Sequence, residues 1–527
     1  MMKNQVLAII GLGEASFPVI EKAKEMKIKT VGFGQSDSLA KNMVDIFVEK
    51  NIFDIDGMYE ECINHEVTGV IASSEISTEP TAYLAEKLHL PGNDVTEGFF
   101  ARNKYLMRKK VSKVASVKQP TFALYDENNK VNFPVVVKSV DSCGKQGITL
   151  ANNQEEFNDA IFEAKKYSSD GSVLLEQYIS TGCEYSLECL SCNNEYYVVQ
   201  ITEKNSSGAP HFAETGHHQP AKISNELKNK MNSVAKDILK ILGINCGMSH
   251  LELKISDGEI YFIEVGARGG GSHIADILTV LSTDCDYYRA AIECSLGIYK
   301  PKEIQNKAYS GIYYHIKQNE DKSELFELSK KANWTFKRTK YADEYPNAVY
   351  YLDRVKAGYF IYCSDHKIDM KEVIEEKKFK AERINDYDDA FQMIWNHNKE
   401  IGRDLSDEEL TQGINKFIRQ GDVIAILDGK HIIGFLMLYC NNYETLSAYI
   451  CNVYVLDKYR GCGLSKILMD KAITICRERK FKQITLHVDR DNLTAISLYK
   501  KYNFEIVGEK EGVDHISFEM RKILRGN

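Results

Sequence analysis

The residues with the clearest chemical potential lie on a predicted β-hairpin near the middle of the chain. His250 and Glu252 alternate along its first strand, and an Asp-Gly turn brings Glu264 back beside them. Two carboxylates on neighbouring strands would repel each other unless a cation lay between them. Oxygen ligands favour Mg²⁺ or Mn²⁺ that bridges ATP phosphates, and a zinc site formed by His250, Glu252 and His273 is the competing interpretation.

Basic residues that suit phosphate chemistry accompany this hairpin. Arg268 opens a glycine-rich loop, where it can stabilise negative charge that develops during phosphoryl transfer. Lys138 ends an apolar strand and precedes a second glycine loop at 142–147, so its ammonium group can reach a phosphate. Taken alone, the Lys138 pattern is explained at least as well by a solvated lysine beside a hairpin turn.

A strand and its exit at 173–184 carry groups that suit a nucleoside. The backbone of 176–179 can read an adenine edge, and Glu184 can accept hydrogen bonds from ribose hydroxyls. The sequence contains no Walker A motif, which excludes a P-loop ATPase.

Taken together, these residues resemble the ATP-grasp carboxylate–amine ligases over residues 1 to about 370. The His250-x-Glu252 pattern, Glu214-Thr-Gly-His217 and the EVGARGGG segment resemble the branch that contains L-amino-acid (dipeptide) ligases and carnosine synthase. The resemblance implies that ATP phosphorylates a carboxylate and that an amine attacks the resulting acyl phosphate to form an amide. We therefore expect small-molecule carboxylate and amine substrates, with ATP and Mg²⁺ (or Mn²⁺) as cofactors.

The resemblance also implies roles for individual residues. The ATP-binding residues are expected to be Lys104, Lys138, Gly144, Gly147, Glu176, Gln177, Tyr178, Ile179 and Glu184. Glu252 and Glu264 would bind the metal, and Arg268 would be catalytic at the acyl phosphate. The substrate-binding residues are expected to be His217, His250, Gly270 and Gly271, with a hydrogen-bonded structural role as the equal alternative for His217.

The C-terminal region has a second anion-binding pattern. A strand at 450–455 runs into the segment Arg460-Gly-Cys-Gly-Leu-Ser465 and then into an amphipathic helix. Glycine turns at helix N-termini suit pyrophosphate binding, although a glycine can also cap a helix for steric reasons alone. Further on, Asn492 and Tyr499 belong to an NxxAxxLYxxxxF segment that predicts a helix and a turn into another strand.

The loop and the later helix resemble the GNAT family of N-acetyltransferases over roughly 383–524. The resemblance implies acetyl-CoA as cofactor and Tyr499 as the acid that protonates the departing thiolate, with a structural tyrosine as the alternative. The general base stays open, with Glu444 and His487 as candidates. The expected acetyl-CoA-binding residues are Val453, Val455, Arg460, Gly461, Cys462, Gly463, Leu464, Ser465 and Asn492.

The secondary-structure elements that would position the ATP-grasp-like residues begin at the N-terminus. Segment 5–100 alternates short apolar runs with amphipathic helices, which predicts a βαβαβ unit with a parallel sheet. Its Gly11-Leu-Gly13 turn matches a dinucleotide fingerprint only weakly, because Ser16 replaces the third glycine and no acidic residue follows the second strand. A tight turn or a substrate-facing loop is the better prediction.

The predicted fold class is a multidomain chain of α/β and α+β units. The expected order is a Rossmann-like subdomain at 1–100, an ATP-grasp domain with two α+β ATP-clasping subdomains at 101–370, a linker or solvated helix at 371–382 and a GNAT-fold domain at 383–527. The length of 527 residues agrees with this organisation, since domains average about 150 residues.

Composition narrows the classes of function. The 67 basic and 75 acidic side chains leave a formal net charge of −8, which argues against a nucleic-acid partner. No apolar run approaches the length of a membrane span, so we expect a cytoplasmic protein without membrane contact, and homo-oligomerisation stays open. The favoured hypothesis is a bifunctional ligase and N-acetyltransferase. The alternative is a nucleotide-biosynthetic ATP-grasp ligase or carboxylase whose C-terminal domain senses acyl-CoA.

Overall fold

The computed structural model describes residues 5–96, 98, 101–128, 130–142, 144, 146–209, 212–339, 358–400, 406–429, 431–511 and 516–524. The chain divides into two compact units, Met1–Ile368 and Asp369–Asn527, called here the N-terminal and C-terminal units. Four sheets and their helices confirm the mixed α/β and α+β class. None of the helices within the described ranges is long and apolar enough to cross a membrane.

The N-terminal unit begins with a parallel sheet of four strands. Its strand Val6–Ile10 is completely buried, because parallel sheets are covered by helices on both faces. Gly11 ends this strand with φ +85°, and a Cβ at that position would lie 3.1 Å from Ser73 Oγ, so the turn needs a glycine. The strand order is Ile46–Glu49, Lys29–Gly34, Val6–Ile10 and Gly69–Ala72, and the helices are Phe17–Glu25, Ile55–Asn64 and Thr78–Lys87.

A second sheet contains four antiparallel strands. Val135 and Val137 pack with Phe157 of the helix Gln154–Lys166 on one face of this sheet. The period-two alternation places Lys138 on the opposite face, where it can meet Glu176 of the neighbouring strand. The strand order is Phe122–Leu124, Val173–Gln177, Val135–Ser139 and Ile148–Ala151, and the helix Lys104–Val111 precedes the sheet.

A third, antiparallel sheet of eight strands carries most of the polar groups of interest. Its apolar face includes Leu187, Leu251 and Leu253 and is covered by the helix Asn225–Ile241. The alternate residues form a polar stripe on the other face. The strand order is Glu259–Gly266, Gly247–Ser256, Cys183–Cys192, Glu195–Ser206, Glu214–Gln219, Tyr309–Tyr314, Tyr359–Ser364 and Thr335–Thr339. The further helical elements are Ile274–Leu278, a π-helix, and the α-helices Thr279–Ser282, Tyr287–Ser295 and Ser323–Leu328.

The C-terminal unit is a seven-stranded sheet with helices on both faces. The helices Tyr387–Glu400 and Asp407–Gln420 pack on the face that includes Phe435. A Cβ on Gly434, which points the other way, would lie 3.6 Å from Leu468 of the helix Leu464–Glu478. The strand order is Ala381–Ile384, Asp422–Asp428, His431–Tyr439, Ser447–Val455, Gln483–Asp489, Ile516–Ile523 and Glu505–Glu511, and the helix Leu493–Lys501 follows the fifth of these.

The segment 371–382, expected to be a linker or solvated helix, is folded into the C-terminal unit instead. It contains most of the helix Met370–Lys377 and the start of the strand Ala381–Ile384. Val373 and Ile374 of the helix are buried. The burial of this helix is hard to recognise in the sequence, because most of its residues are lysine or glutamate and only a narrow apolar stripe is buried.

Candidate active sites

A cavity of about 230 Å³ opens in the N-terminal unit on the polar side of the eight-stranded sheet. It brings together Gly144, His250, Glu252, Glu264, Arg268 and Gly271, six of the residues predicted from the sequence. The remaining lining residues are Lys204, Ala213, Glu214, Ser272, Ile274 and Ile316. A space of this size holds a small molecule, so the cavity is the candidate reaction centre of this unit.

The predicted pair of carboxylates meets at this cavity. Glu252 and Glu264 are directly opposed across the hairpin, whose turn is closed by Asp257 and Gly258 at φ +50° and +77°. Two carboxylates completed by phosphate oxygens and waters suit Mg²⁺, so the donor set fits the ion that the sequence implied. Within the part of the chain that the structure describes, no group of three or more Asp, Glu, His or Cys residues is placed to hold a metal.

The zinc interpretation finds no support in the position of its third residue. His273 Nδ1 lies 2.9 Å from Asp276 Oδ2, and its ring packs against Tyr359 at a centroid distance of 5.1 Å. The imidazole is therefore engaged locally.

A buried lysine that the sequence analysis missed connects the carboxylates of the cavity. Lys204 Nζ donates to Glu252 Oε1 and lies 3.8 Å from Glu214 Oε1. Burial alone would lower the pKa of Lys204, but the charges of Glu252 and Glu214 outweigh it and raise the pKa above its usual value. Lys204 therefore stays a cation at neutral pH. Nothing in its local sequence predicts this, because its partners are brought to it only by strand register.

Glu188 is a second missed residue, and it is completely buried behind the cavity. One carboxylate oxygen lies 2.5 Å from His250 Nδ1, and the other accepts the backbone N–H of Gly270 at 3.0 Å. Burial alone would lower the pKa of His250, but the charge of Glu188 and hydrogen bonds to Glu188 and Glu252 raise it to about 9. His250 is thus an imidazolium clamped between two carboxylates, and Glu188 joins it to the glycine-rich loop.

This clamp predicts different effects for substitutions at two adjacent glycines. A Cβ on Gly270 would lie 2.7 Å from His250 Nδ1 and 2.9 Å from Glu188 Oε1, whereas a Cβ on Gly271 would meet nothing within 4 Å. We expect Gly270→Ala to reduce the free energy of unfolding by about 1–3 kcal/mol and the matched control Gly271→Ala to change it by less than about 0.5 kcal/mol.

Urea denaturation followed by tryptophan fluorescence measures both changes. The chain has two tryptophans, and a Trp395→Phe background leaves Trp334 as the reporter of the N-terminal unit. Equal stabilities for the two alanine variants would contradict the clamp.

The two lysines predicted to contact ATP are both held in place. Lys138 Nζ lies 2.8 Å from Glu176 Oε2, and Arg108, which is 1% exposed, donates to the other carboxylate oxygen of Glu176. Lys104 Nζ donates to the backbone oxygen of Ser142 at 2.5 Å and lies 3.9 Å from Glu264 Oε2. The two ammonium groups are therefore positioned by different neighbours, and Lys104 lies next to the cavity carboxylate.

Glu176 is an anchor for two buried cations. Burial alone would raise the pKa of this carboxyl, but the charges of Arg108 and Lys138 outweigh it and lower the pKa to about 2. Its side chain is committed to this ion pair, so only its backbone is left for the adenine contact that the sequence analysis expected.

The remaining predicted nucleotide residues lie at the end of the strand Val173–Gln177 or after it. Tyr178 packs against Phe212 at a centroid distance of 6.0 Å, and Lys254 Nζ donates to the Ile179 carbonyl at 2.8 Å. The same Lys254 lies 3.8 Å from Glu184 Oε1. Lys254 thereby ties the strand exit to the predicted ribose-binding carboxylate, while Gln177 is exposed.

The two glycines of the predicted phosphate loop have different surroundings. Gly144 lines the cavity at φ +64°. Gly147 has φ +63°, and a Cβ there would lie 3.2 Å from the backbone of Ala164, so this glycine serves a turn against the helix Gln154–Lys166. Cys143 and Lys145 lie outside the described residues.

Arg268 and His217 are held by acidic neighbours. Arg268 Nε lies 2.7 Å from Glu75 Oε2, a carboxylate in the short 3-10 turn Glu75–Ser77 that precedes the helix Thr78–Lys87. His217 is completely buried, lies 3.4 Å from Glu214 Oε2 and packs edge-on against Tyr314. His217 is not among the residues that line the cavity, so its position matches the structural alternative, in which it supports Glu214.

In the C-terminal unit, two neighbouring strands part from each other. Ser447–Val455 pairs in parallel with Gln483–Asp489 only from Ser447 to Ile450. Beyond Ile450, residues 451–455 keep their other neighbour, His431–Tyr439, and no strand in the described part of the chain pairs with their free edge. The predicted pantetheine contacts, Val453 and Val455, lie on this free edge, where an extended ligand can bind backbone groups.

The predicted pyrophosphate loop follows the free edge directly. Gly461 and Gly463 have φ +77° and +91°, and a Cβ on either would meet nothing within 4 Å. Gly463 is the N-cap of the helix Leu464–Glu478, and no side chain caps the helix there. The N–H groups at this terminus are thus available to an anion, because the glycines hold the loop open without filling the space.

The other residues expected to bind acetyl-CoA have these local contacts. Arg460 lies 2.7 Å from Asp457 and donates to the Val455 carbonyl at 3.2 Å, while Cys462 Sγ lies 3.5 Å from the Arg460 carbonyl. Leu464 is buried and Ser465 is half-buried at the helix start. Asn492 Oδ1 accepts the Ala495 N–H at 3.1 Å, so Asn492 is the N-cap of the next helix.

Tyr499 is buried on the helix Leu493–Lys501. It is 7% exposed, and burial raises its pKa to about 12, so its hydroxyl keeps its proton at neutral pH. Asn503, at the turn after this helix, has φ +60°, a conformation that asparagine tolerates better than most residues.

Comparisons with known proteins agree with this division of the chain. Residues 131–276 match the ATP-grasp domain family, and residues 385–504 match the acetyltransferase (GNAT) family. The fold of the L-amino acid ligase from Bacillus licheniformis superposes with a TM-score of 0.59 at 23% identity, covering 72% of this chain and 98% of that structure.

Two curated relatives match smaller regions. Dapdiamide A synthase of Enterobacter agglomerans is 25% identical over 222 residues, which are 39% of this chain and 52% of that protein. The carbamoyl phosphate synthase large chain of Thermoplasma acidophilum is 22% identical over 211 residues, which are 38% of this chain and 19% of that protein. This chain thus spans about half or less of the length of these relatives. It carries an ATP-grasp domain followed by a GNAT-family acetyltransferase domain, both of which belong to families of enzymes.

Proposed function

We propose that the N-terminal unit joins a carboxylate to an amine through an acyl phosphate and that the C-terminal unit transfers an acetyl group to a related amine. The observation that carries the first activity is the opposition of Glu252 and Glu264 on the wall of a cavity that also contains Arg268. A carboxylate is a poor electrophile until it is phosphorylated, so this chemistry needs a nucleotide, cationic groups and a substrate cavity together.

The charged residues of the N-terminal unit have separate roles in the proposed ligase reaction. Lys104 and Lys138 neutralise phosphate oxygens of ATP, and both are already oriented by their neighbours. Arg268, fixed by Glu75, offers its guanidinium to the carboxylate that is being phosphorylated. A Mg²⁺ ion held by Glu252 and Glu264 would supply further charge neutralisation at the phosphates.

Amino acids are the substrate class that the cavity favours. Glu214 and Arg268 line the same space, so its wall offers a carboxylate for an ammonium group and a guanidinium for a carboxylate. The fold of an L-amino acid ligase and the sequence of dapdiamide A synthase are both similar to this region. We therefore propose that at least one of the two joined molecules is an amino acid.

A substrate screen tests the ligase. The full chain is incubated with ATP, Mg²⁺ and pairs of amino acids, and ADP release is followed together with mass-spectrometric detection of an amide. Pair-dependent ADP release with an amide product supports the proposal. The alternative from the sequence, a nucleotide-biosynthetic ligase or carboxylase, predicts ADP release that depends on a purine intermediate or on bicarbonate instead.

The C-terminal unit is proposed to catalyse acetyl transfer rather than only to sense acyl-CoA. Tyr499 is a buried side chain whose hydroxyl stays protonated at neutral pH, which suits an acid that protonates a thiolate. We expect Tyr499→Phe to lower the rate of CoA release by roughly 10²-fold while acetyl-CoA binding is retained. Free thiol and isothermal titration measurements distinguish the two quantities. Acetyl-CoA binding without turnover in the unaltered chain would favour the sensing alternative.

The presence of both domains in one chain suggests successive steps on one metabolite. We propose that the acetyl acceptor is an amine that is a substrate or a product of the ligase. Adding each ligase substrate and the amide product to the acetyl-transfer assay tests this link. CoA release that is independent of all of them would count against it.

A further inference from the structure

The glycine-rich loop of the N-terminal unit continues into an unusual stretch of backbone. Ser272 and His273 have φ values of +55° and +61°, although neither is a glycine. The π-helix Ile274–Leu278 follows at once, and the N–H of Leu278 is bonded to the carbonyl oxygen of His273 at 2.9 Å. Left-handed non-glycine residues persist only where surrounding contacts hold them, and π-turns are found mostly at functional sites. The contacts that hold this stretch are therefore worth following.

This stretch forms part of the cavity wall. Ser272 and Ile274 both line the cavity. Ser272 Oγ donates to Glu214 Oε2 at 2.8 Å, and Tyr314 Oη donates to the Ser272 carbonyl oxygen at 3.1 Å. The position of the backbone at Ser272 thus decides where Glu214, the carboxylate proposed to bind a substrate ammonium group, presents its oxygens.

A group of buried polar side chains is bonded to the end of the π-helix. Gln219 Nε2 donates to Thr279 Oγ1 at 3.1 Å and to Thr202 Oγ1 at 2.9 Å, and Gln219 Oε1 accepts the Ser282 hydroxyl at 2.8 Å. Thr279 Oγ1 in turn donates to the Ile274 carbonyl oxygen at 2.9 Å, which also accepts the N–H of Thr279. The glutamine, the two threonines and the serine are all completely buried.

The amide of Gln219 is completely bonded, since both of its N–H groups donate and its oxygen accepts. Burying an amide is costly unless its groups are bonded in this way, and a complete network holds a single arrangement. Apolar side chains could pack the helix against the sheet without that cost. They could not supply the directional hydrogen bond from Thr279 to the Ile274 carbonyl, so this bond is the distinctive product of the network.

We propose that Gln219 and Thr279 are positioning residues of the ligase, which hold the π-helix and through it fix Ser272 and Glu214 at the cavity. This inference rests on the proposed ligase function. Neither Gln219 nor Thr279 is among the residues that line the cavity, so both act through the backbone of the loop. Their effect falls on the amino-acid substrate rather than on ATP, because the lysines proposed to contact ATP lie on other elements.

Thr279→Val in the full chain keeps the shape of the side chain and removes its hydroxyl. With ADP release measured for pairs of amino acids, we expect kcat/KM for the amino acid to fall about 10–10²-fold and the KM for ATP to change less than about twofold. Thr279→Ser keeps the hydroxyl and should restore most of the rate. Gln219→Leu should show the same pattern, and the double variant should lose little more than either single one, because both residues act through the same bond.

Thr30→Val is the matched control. Thr30 is also a completely buried threonine, and its Oγ1 donates to Asp45 Oδ2 at 2.8 Å in the parallel sheet. This variant should lower stability without changing kcat/KM. Hydrogen exchange followed by mass spectrometry over residues 269–279 gives a readout independent of activity. Thr279→Val should raise the exchange rates of the Ile274, Ala275 and Leu278 N–H groups about tenfold or more, and Thr30→Val should not.

The outcomes separate this inference from the function on which it rests. A chain that releases no ADP with any pair of amino acids overturns the ligase and the positioning role together. A working ligase in which Thr279→Val keeps its kcat/KM, or its exchange rates at the π-helix, overturns the positioning role alone. Equal losses of rate for Thr279→Val and Thr30→Val also overturn it, since a merely structural threonine would behave in that way. Thr279→Ala repeats the test if the valine variant folds poorly.

Discussion

Replacing Glu264 with glutamine is expected to lower substrate-dependent ADP release by roughly 10²–10³-fold, which is the usual effect of removing one electrostatic group from a reaction centre. Glu264 lies directly opposite Glu252, and its side chain is 37% exposed at the cavity. Lys104 Nζ lies 3.9 Å from one of its carboxylate oxygens. An amide keeps the shape of the side chain but removes the charge that a divalent cation needs, so catalysis should fall while folding is preserved.

Two further readouts make this result specific. Titration with Mn²⁺ in the presence of a non-hydrolysable ATP analogue, followed by electron paramagnetic resonance, should show binding weakened about tenfold or more. The matched control is Glu259→Gln on the same strand, whose side chain is 46% exposed and lies 3.3 Å from Lys118. That variant should keep both its rate and its metal affinity. Full ADP release by Glu264→Gln would remove the carboxylate pair from the mechanism.

Replacing Glu176 with glutamine is expected to reduce the stability of the N-terminal unit by about 3–5 kcal/mol, as for other broken buried ion pairs. Arg108 is 1% exposed, and its remaining acceptors include the carbonyl oxygens of Phe262 and Ile263, each 3.0 Å from its guanidinium. Lys138 would also lose its partner at 2.8 Å. Removal of the single carboxylate therefore takes this counter-charge from two buried cations at once.

Urea denaturation reported by Trp334 in the Trp395→Phe background measures this loss. The matched control is Glu163→Gln, whose carboxylate pairs with Lys166 on the exposed side of the helix Gln154–Lys166. Exposed pairs of this kind contribute about 0–1 kcal/mol. Similar denaturation midpoints for the Glu176 and Glu163 variants would show that the buried pair is not an anchor of the fold.

The same residue predicts how stability depends on pH. The pKa of Glu176 is lowered from 4.5 to about 2 in the folded chain, so its contribution is fully present above the unfolded value and is lost as pH falls through about 2. The contribution at stake is about 3 kcal/mol. Glu176→Gln should therefore reduce the difference in stability between pH 5 and pH 2.5, measured by urea denaturation against the unaltered chain.

Several contacts at the candidate sites could be predicted from the sequence because they depend on local geometry. Period-two alternation and the Asp-Gly turn are properties of a short segment, and they bring Glu252 and Glu264 together. The loop at Gly461 and Gly463 could likewise be predicted from residue type, since glycine adopts φ values of +77° and +91° without strain. The apolar runs of the parallel sheet are equally local signals.

Other parts of the candidate sites could not be predicted, because they depend on partners that are distant in the chain. Glu188 reaches His250 across 62 positions, and Lys204 reaches Glu252 across 48. Neither residue stands in a recognisable motif, and a shift of one residue in strand register would turn each to the other face of the sheet. A helix was one of the two alternatives for the segment that contains Met370–Lys377, but the burial of Val373 and Ile374 could not be predicted, because it depends on residues distant in the chain.

The sequence by itself indicated the two domain families, many of the strand and turn elements and several of the residues that the structure brings together at one cavity. Only the tertiary structure decided which charges neutralise one another: Glu176 anchors two cations, Lys204 and His250 share Glu252, and Glu75 holds Arg268. The physical reason is that the hydrogen bonds of a helix or turn form between residues close in sequence, so the sequence predicts them. The energy of a buried charge depends instead on the opposite charge that the fold places within a few ångströms, and that partner can be distant in the chain.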